Sequence, residues 1–152
     1  MKHLKHLLAA LVFVSIIVFT SCGGGKGGDN IDPAEEQAEK LSATWTLDAL
    51  GAVNAEGPQA NWDGMTLTVA DNPKTYNVSG SQCIETWPVS GTWTFDGSDI
   101  GTVIRNDGVS IEISSVTSSE LTLVFNISGN PVCTPPVRSE SAGGLWTFSF
   151  SK

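Results

Sequence analysis

The stretch LTLVFNIS, residues 121–128, places an apolar side chain at every second position. Successive side chains of a β-strand point to opposite faces, so Leu121, Leu123, Phe125 and Ile127 share one face. Such alternation is typical of an antiparallel strand with one buried face and one face in water. The segment therefore predicts a strand with one face packed against an apolar core.

The same period of two recurs along most of the chain. The further segments are TWTLDAL (44–50), MTLTV (65–69), TYNVS (75–79), TWTF (92–95), GTVIR (101–105), VSIEIS (109–114) and LWTFSFS (145–151). In the first of these, the pattern puts Trp45, Leu47 and Ala49 on the inward face. GTVIR is the weakest candidate, because its inward face is ambiguous. The pattern predicts seven or eight strands.

Turn signals separate these strands, and no long helical pattern lies between them. Asp-Gly and Asn-Pro pairs occur at 63–64, 72–73, 96–97 and 107–108, and such pairs favour tight reversals. Parallel strands would need long crossover connections, so an up-and-down antiparallel meander is predicted. A small closed barrel over residues 42–152 would protect the strand edges, and a β-sandwich is the alternative. A short helix is predicted at 33–41, where Asp32 can cap and Pro33 fits the first turn.

The N-terminus has the pattern of an export signal. Lys2 and Lys5 precede an apolar run from Leu7 to Thr20, which is shorter than the roughly 20 residues that span a bilayer. The run ends in Ser21-Cys22, which resembles the lipobox of bacterial lipoproteins. We expect a signal peptide at 1–21, an acylated Cys22 and a Gly-rich tether at 22–32. An uncleaved anchor, or an ordinary signal with a chance cysteine, is the alternative.

Charge and histidine content exclude several functions. All 16 acidic residues and six of the eight basic ones follow the signal, so that part carries a formal charge of −10 (6 − 16). This argues against nucleic-acid binding and against electrostatic attachment to an anionic lipid surface. Both histidines, His3 and His6, lie in the signal, which removes imidazole-based catalysis and imidazole metal sites. We predict no enzyme activity, no cofactor and no metal, and a membrane partner through the Cys22 lipid.

Two similar phrases lead into the other cysteines. YNVSGSQC (76–83) returns as FNISGNPVC (125–133), and in each copy Ser-Gly ends a predicted strand before the cysteine. An exported protein favours a disulfide, so Cys83 and Cys133 are predicted to pair. Closing a loop of about 50 residues would stabilise the fold by about 4 kcal/mol.

Three residues are candidates for ligand binding. Trp62 and Trp87 fall in loops, QANWDG and CIETWPVSG, where an exposed indole could contact a sugar face or an apolar tail. The alternative is that they pack as a lid over one barrel end. Arg105 could bind a carboxylate inside the barrel, or pair with an acidic neighbour outside it.

A Trp-Thr motif recurs along the chain and carries a family resemblance. SATWTL (42–47), SGTWTF (90–95) and GGLWTF (143–148) are its three copies. With the Asp-Gly turns and the lipobox, residues 41–152 resemble the small lipocalin-like lipoproteins of Gram-negative envelopes. The resemblance implies the barrel fold and an outer-membrane location.

Two functions are consistent with these features. The first is non-catalytic binding of a small apolar, amphipathic or saccharide ligand at a mouth near Trp62 and Trp87. The second is a structural or interaction module of the cell envelope with a fully packed barrel and no ligand.

Overall fold

A computed structural model describes residues 31–129 and 143–152. Its helix, α1, spans Pro33–Leu41. The Asp32 carboxylate accepts a hydrogen bond from the Ala34 N–H at 2.9 Å and caps the first turn. Ala38 and Leu41 are buried. The predicted short helix before the barrel is confirmed. Within the described ranges, no helix combines the length and the apolar character that crossing a membrane requires.

In the described ranges, nine antiparallel strands follow α1. They are β1 (Ala43–Asn54), β2 (Gly57–Pro58), β3 (Thr66–Asp71), β4 (Lys74–Ser79), β5 (Ser90–Asp96), β6 (Asp99–Arg105), β7 (Ser110–Val116), β8 (Glu120–Ile127) and β9 (Gly144–Ser151). A 3-10 turn, Ala60–Trp62, lies between β2 and β3. The short strand β2 pairs only with β1. The other eight strands pair in chain order from β1 and β3 to β8 and β9, and β9 pairs in addition with β1. Eight strands therefore form a closed up-and-down barrel, which confirms the all-β prediction and excludes the sandwich.

The predicted inward position of Ala49 is wrong. The register between β1 and β9 shifts between Leu47 and Ala52, so the alternation of β1 is interrupted and Ala49 is exposed. Gly51 lies inside this irregularity, and a Cβ there would come within 2.6 Å of the Ser149 carbonyl oxygen. Only glycine allows the two backbones to approach so closely.

The barrel has two unlike ends. The end of the barrel that carries α1 and the β3–β4, β5–β6 and β7–β8 turns is called the α1 end. The opposite end, which carries the β4–β5 and β6–β7 connections, is the loop end. At the α1 end, the helix lies against β3 and β6, and the Trp45 Nε1–H donates to the Leu41 carbonyl at 2.9 Å. Lys152 Nζ lies 4.4 Å from the centroid of the Trp45 ring.

Large aromatic side chains fill much of the interior. The fully buried ones are Trp45, Trp62, Trp87, Trp146, Phe148 and Phe150. Phe148 is central, because its ring lies 5.4 Å from Trp62, 5.5 Å from Trp87 and 5.4 Å from Phe125, measured between centroids. The contacts with Trp62 and Trp87 are edge-to-face and the contact with Phe125 is stacked. Aromatic pairs of both kinds stabilise a core beyond the area they bury.

Candidate ligand-binding site

A small cavity lies inside the barrel between α1 and Trp87. Its volume is about 40 Å³, and its walls are Leu41, Leu67, Val69, Tyr76, Trp87, Trp93, Val103, Arg105, Ile111, Ile113, Leu121 and Leu123. Leu41 belongs to the last turn of α1, so the helix forms one wall. Val69 and Ile113 are only half buried. The cavity is thus apolar, and its least covered walls lie towards the α1 end.

Among the described residues that line the cavity, Arg105 is the one that carries a charge. It is almost completely buried, with 2% of the residue exposed. It alternates with Val103 on the inward face of β6, which resolves the ambiguity of GTVIR. Its Nε–H donates to Asp107 Oδ1 at 3.1 Å and its Nη1–H to the Thr86 carbonyl at 2.7 Å. Its Nη2 pairs with Asp107 Oδ2 at 2.5 Å. Arg105 thus lies inside the barrel and also pairs with its acidic neighbour.

Trp87 reaches the same place from the β4–β5 loop. The N–H groups of Thr86 and Trp87 both donate to the Cys83 carbonyl, at 3.1 and 2.8 Å. This tight turn directs the indole inward, where it is 2% exposed. The Arg105 guanidinium lies 5.4 Å from the Trp87 ring centroid and 5.8 Å from that of Phe125. A buried guanidinium over two aromatic faces is a favourable cation–π arrangement.

Trp62 lies elsewhere in the core. It belongs to the 3-10 turn Ala60–Trp62 and is fully buried. Its ring contacts Trp146 and Phe148, and it does not line the cavity. The structure therefore brings Trp87 and Arg105 together and places Trp62 apart from them. Both indoles are buried in the core, and a role of these three residues in ligand binding stays a prediction.

Burial and charge shift two pKa values beside Arg105. Burial raises the pKa of the Tyr76 hydroxyl, although the positive charge of Arg105 opposes the shift. Tyr76 is therefore a protonated hydrogen-bond donor at neutral pH. Partial burial alone would raise the pKa of Asp107, but hydrogen bonds and charge from Arg105 outweigh it and hold this pKa below its usual range. Asp107 is therefore ionised at neutral pH.

The two Ser-Gly phrases end at the same rim of the barrel. β4 and β8 are separated by an odd number of antiparallel strands in the meander, so both run towards the loop end. Cys83 is buried there, with 1% of its surface exposed. Cys133 and the acylation candidate Cys22 lie outside the described residues. The pairing of Cys83 with Cys133 stays a prediction.

Residues 41–125, more than half of the chain, match the family model of the lipocalin-like domain. The chain belongs to the lipocalin-like domain family. No curated protein and no solved structure matched the chain. A lipocalin-like barrel is a fold suited to binding a small ligand, and the family is in general not catalytic. In the described part of this lipocalin-like chain, no three Cys, His, Asp or Glu side chains come together as a metal site would require.

Sequence reasoning did not assign Leu41, Tyr76 or Thr86 to the lipocalin-like site. Tyr76 offered a usable signal, because a tyrosine on an inward strand position carries a hydroxyl that must find a partner inside the barrel. Leu41 and Thr86 carried no comparable signal. The position of Leu41 depends on where α1 meets the closed barrel, and the position of Thr86 depends on where the β4–β5 loop does.

Proposed function

We propose that this chain is an outer-membrane lipoprotein whose barrel binds a small apolar or amphipathic molecule without catalysing a reaction. The apolar cavity between α1 and Trp87 is the observation that carries the binding part of this proposal. The export signal, the lipobox-like Ser21-Cys22 and the Gly-rich segment behind it support the envelope part.

The cavity volume limits what can bind. Drug-sized ligands occupy pockets of about 300–1,000 Å³, and an apolar cavity of about 150 Å³ admits benzene. At about 40 Å³, the cavity accepts the end of a narrow chain. A longer ligand requires Leu41 to move. The Trp45–Leu41 hydrogen bond and the buried Ala38 and Leu41 side chains hold α1 in place.

A packed module without ligand is the second candidate, and the half of the barrel at the loop end favours it. Trp62, Trp87 and Phe148 fill that half with rings 5.4–5.5 Å apart. In this alternative the cavity is a packing defect, and the protein acts through its surface.

Binding of 1-hexanol separates the two candidates. Isothermal titration calorimetry on the purified chain in lipid nanodiscs, with empty nanodiscs as the blank, should show saturable binding. Leu41→Ala enlarges the cavity and should tighten it, because the deeper space covers more of the chain. Leu145→Ala, at a position 58% exposed on the outer face, is the matched control and should change nothing. Absence of saturable binding to both the wild type and Leu41→Ala would support the packed module.

The lipid anchor has an independent test. Mass analysis of the mature N-terminus should find a chain that begins at Cys22 and carries acyl groups. Cys22→Ser should abolish the acylation and release the protein from membranes, since attachment depends on the acyl chains. A mature chain that begins elsewhere, without acyl groups, would exclude the proposed anchor.

A further inference from the structure

The pairing between β6 and β7 stops short of the α1 end of the barrel. The pair nearest to that end joins Thr102 to Glu112. Beyond it, within these two described strands, residues 99–101 of β6 and residues 113–116 of β7 do not pair with each other. The wall of the barrel therefore has an interruption in its hydrogen-bond ladder, which we call the β6–β7 gap.

The two strands that border the gap are also irregular on their other sides. The register between β5 and β6 shifts between Phe95 and Asp96, and the register between β7 and β8 shifts between Ile113 and Ser115. Such irregularities bend a strand and interrupt its ladder. Segments with few backbone hydrogen bonds open locally at a lower free-energy cost than fully paired ones. We therefore expect β6 and β7 to separate more readily at the gap than along their paired halves.

Ile113 stands between the interior cavity and the outer surface at this gap. Its side chain is half-buried and forms one of the cavity walls. The same residue borders an open groove on the outside of the barrel, together with Gly101, Thr102 and Leu145. Because Ile113 borders both spaces, displacement of its side chain would connect the cavity to the groove.

A route beneath α1 is held more firmly. The Trp45 Nε1–H donates to the Leu41 carbonyl at 2.9 Å, and Ala38 and Leu41 are only 2% and 4% exposed. Lifting the helix would break this hydrogen bond and expose both side chains to water. Movement of Ile113 exposes less new apolar surface, because this side chain is already half exposed, and therefore costs less.

We propose that an apolar ligand enters and leaves the barrel through the β6–β7 gap, with Ile113 as its gate. The surface of the cavity is entirely apolar, so the apolar end of the ligand is the part that passes the gap. This inference rests on the proposed ligand-binding function and adds the route and the residue that control ligand exchange.

Ile111 provides a matched control for Ile113. Both isoleucines lie on β7 and line the cavity. Ile111 pairs with Val103 of β6 and with Phe125 of β8, is 2% exposed and does not border the outer groove. The change to alanine removes the same atoms from the same cavity at either position, but only Ile113→Ala opens the gap.

Relaxation-dispersion NMR on the chain in lipid nanodiscs, titrated with 1-hexanol, measures the two rate constants. The leucine methyl groups of the cavity report exchange between free and bound states on the microsecond to millisecond timescale. Ile113→Ala should raise the association rate constant about tenfold, because association is slow when it must wait for a side chain to move. Ile111→Ala should change this constant by less than about twofold. Equal increases for the two variants would overturn the inference.

The valine variants repeat the comparison with a smaller loss of packing. Ile113→Val and Ile111→Val each remove one methylene group, which folded cores tolerate better than a change to alanine. The order of the association rate constants should be the same as for the alanine pair. An increase for Ile111→Val as large as that for Ile113→Val would contradict the gate.

Gly101→Leu tests the gap from the outside. Among the described residues, a Cβ at Gly101 would meet only the Asp99 Oδ1 atom, at 3.2 Å, so a larger side chain has room there. It should slow association and dissociation by a similar factor of about five and leave the Kd nearly unchanged. Thr68→Leu is the control, because Thr68 is exposed on β3 and pairs on both sides, with Thr44 and Asn77. Equal rates for the two leucine variants would count against the gap as the route.

The outcomes also separate this inference from the proposed function. If Leu41→Ala accelerates association and Ile113→Ala does not, the ligand enters beneath α1, so the gate is wrong and ligand binding stands. If 1-hexanol binds to neither the wild type nor Leu41→Ala, both proposals fail.

Discussion

Removal of the Asp107 charge should destabilise the barrel, because it would leave the Arg105 guanidinium buried without a counter-charge. The Arg105 side chain is 1% exposed and that of Asp107 is 35% exposed. Breaking a buried ion pair by removing one partner costs about 3–5 kcal/mol. Water reaches part of this carboxylate, and Arg105 retains the Thr86 carbonyl and two ring faces. We therefore expect Asp107→Asn to lower the free energy of unfolding by about 2–3 kcal/mol.

Asp99→Asn is the matched control for this change. Asp99 also lies beside a tight turn, and its Oδ1 accepts from the Gly101 N–H at 2.9 Å. Asp107 Oδ1 accepts from the Val109 N–H at 3.2 Å in the same way. Asp99 faces no buried cation in the described part of the chain, so its substitution should change stability by about 0.5 kcal/mol or less.

Urea denaturation followed by tryptophan fluorescence measures both variants. Because Arg105 lowers the pKa of Asp107 in the folded state, the stabilisation is present above the unfolded pKa of about 3.9 and disappears as pH falls through the folded pKa. The difference between wild type and Asp107→Asn should therefore be full at pH 7 and shrink below about pH 4. Equal losses for Asp107→Asn and Asp99→Asn at pH 7 would refute the reasoning.

Two further predictions concern packing and the cysteines. A Cβ at Gly91 would lie 2.7 Å from the Tyr76 hydroxyl oxygen, so Gly91→Ala should cost about 1–3 kcal/mol in urea denaturation. Gly101→Ala meets only a flexible side-chain atom at 3.2 Å and should cost much less; equal costs would contradict the packing argument. If Cys83 pairs with Cys133, Cys133→Ala should lower stability by about 2–4 kcal/mol and remove any effect of reductant. A wild-type protein whose unfolding is insensitive to reductant would exclude the pairing.

Local periodicity was sufficient to predict the barrel. Eight alternating segments became its eight strands, because one face of each must be buried and tight turns leave only antiparallel neighbours. The predicted inward position of Ala49 was wrong, because the register between β1 and β9 shifts between Leu47 and Ala52. That shift depends on the last strand of the chain, so no local pattern around residue 49 could reveal it.

The candidate site was predicted only in part. Arg105 and Trp87 were identified as residues, but their burial together depends on a loop that folds back into the barrel. Leu41 lines the cavity because α1 lies against β3 and β6, and this is a tertiary contact without a period. Local sequence patterns indicate the number and direction of the strands. The packing inside the barrel depends instead on how α1 and the β4–β5 loop cover its two ends.

The pairing of β1 with β9 also has a consequence for how the chain folds. Residues on either side of this seam, such as Thr46 and Ser151, are more than a hundred positions apart. Contacts of such high sequence separation form late, since the entropy of closing a long loop must be overcome first. Until Gly144–Ser151 docks, β1 and β8 each present an open edge that can recruit a second chain. Folding of this barrel is therefore expected to be most sensitive to protein concentration before the eight-residue strand Gly144–Ser151 has docked.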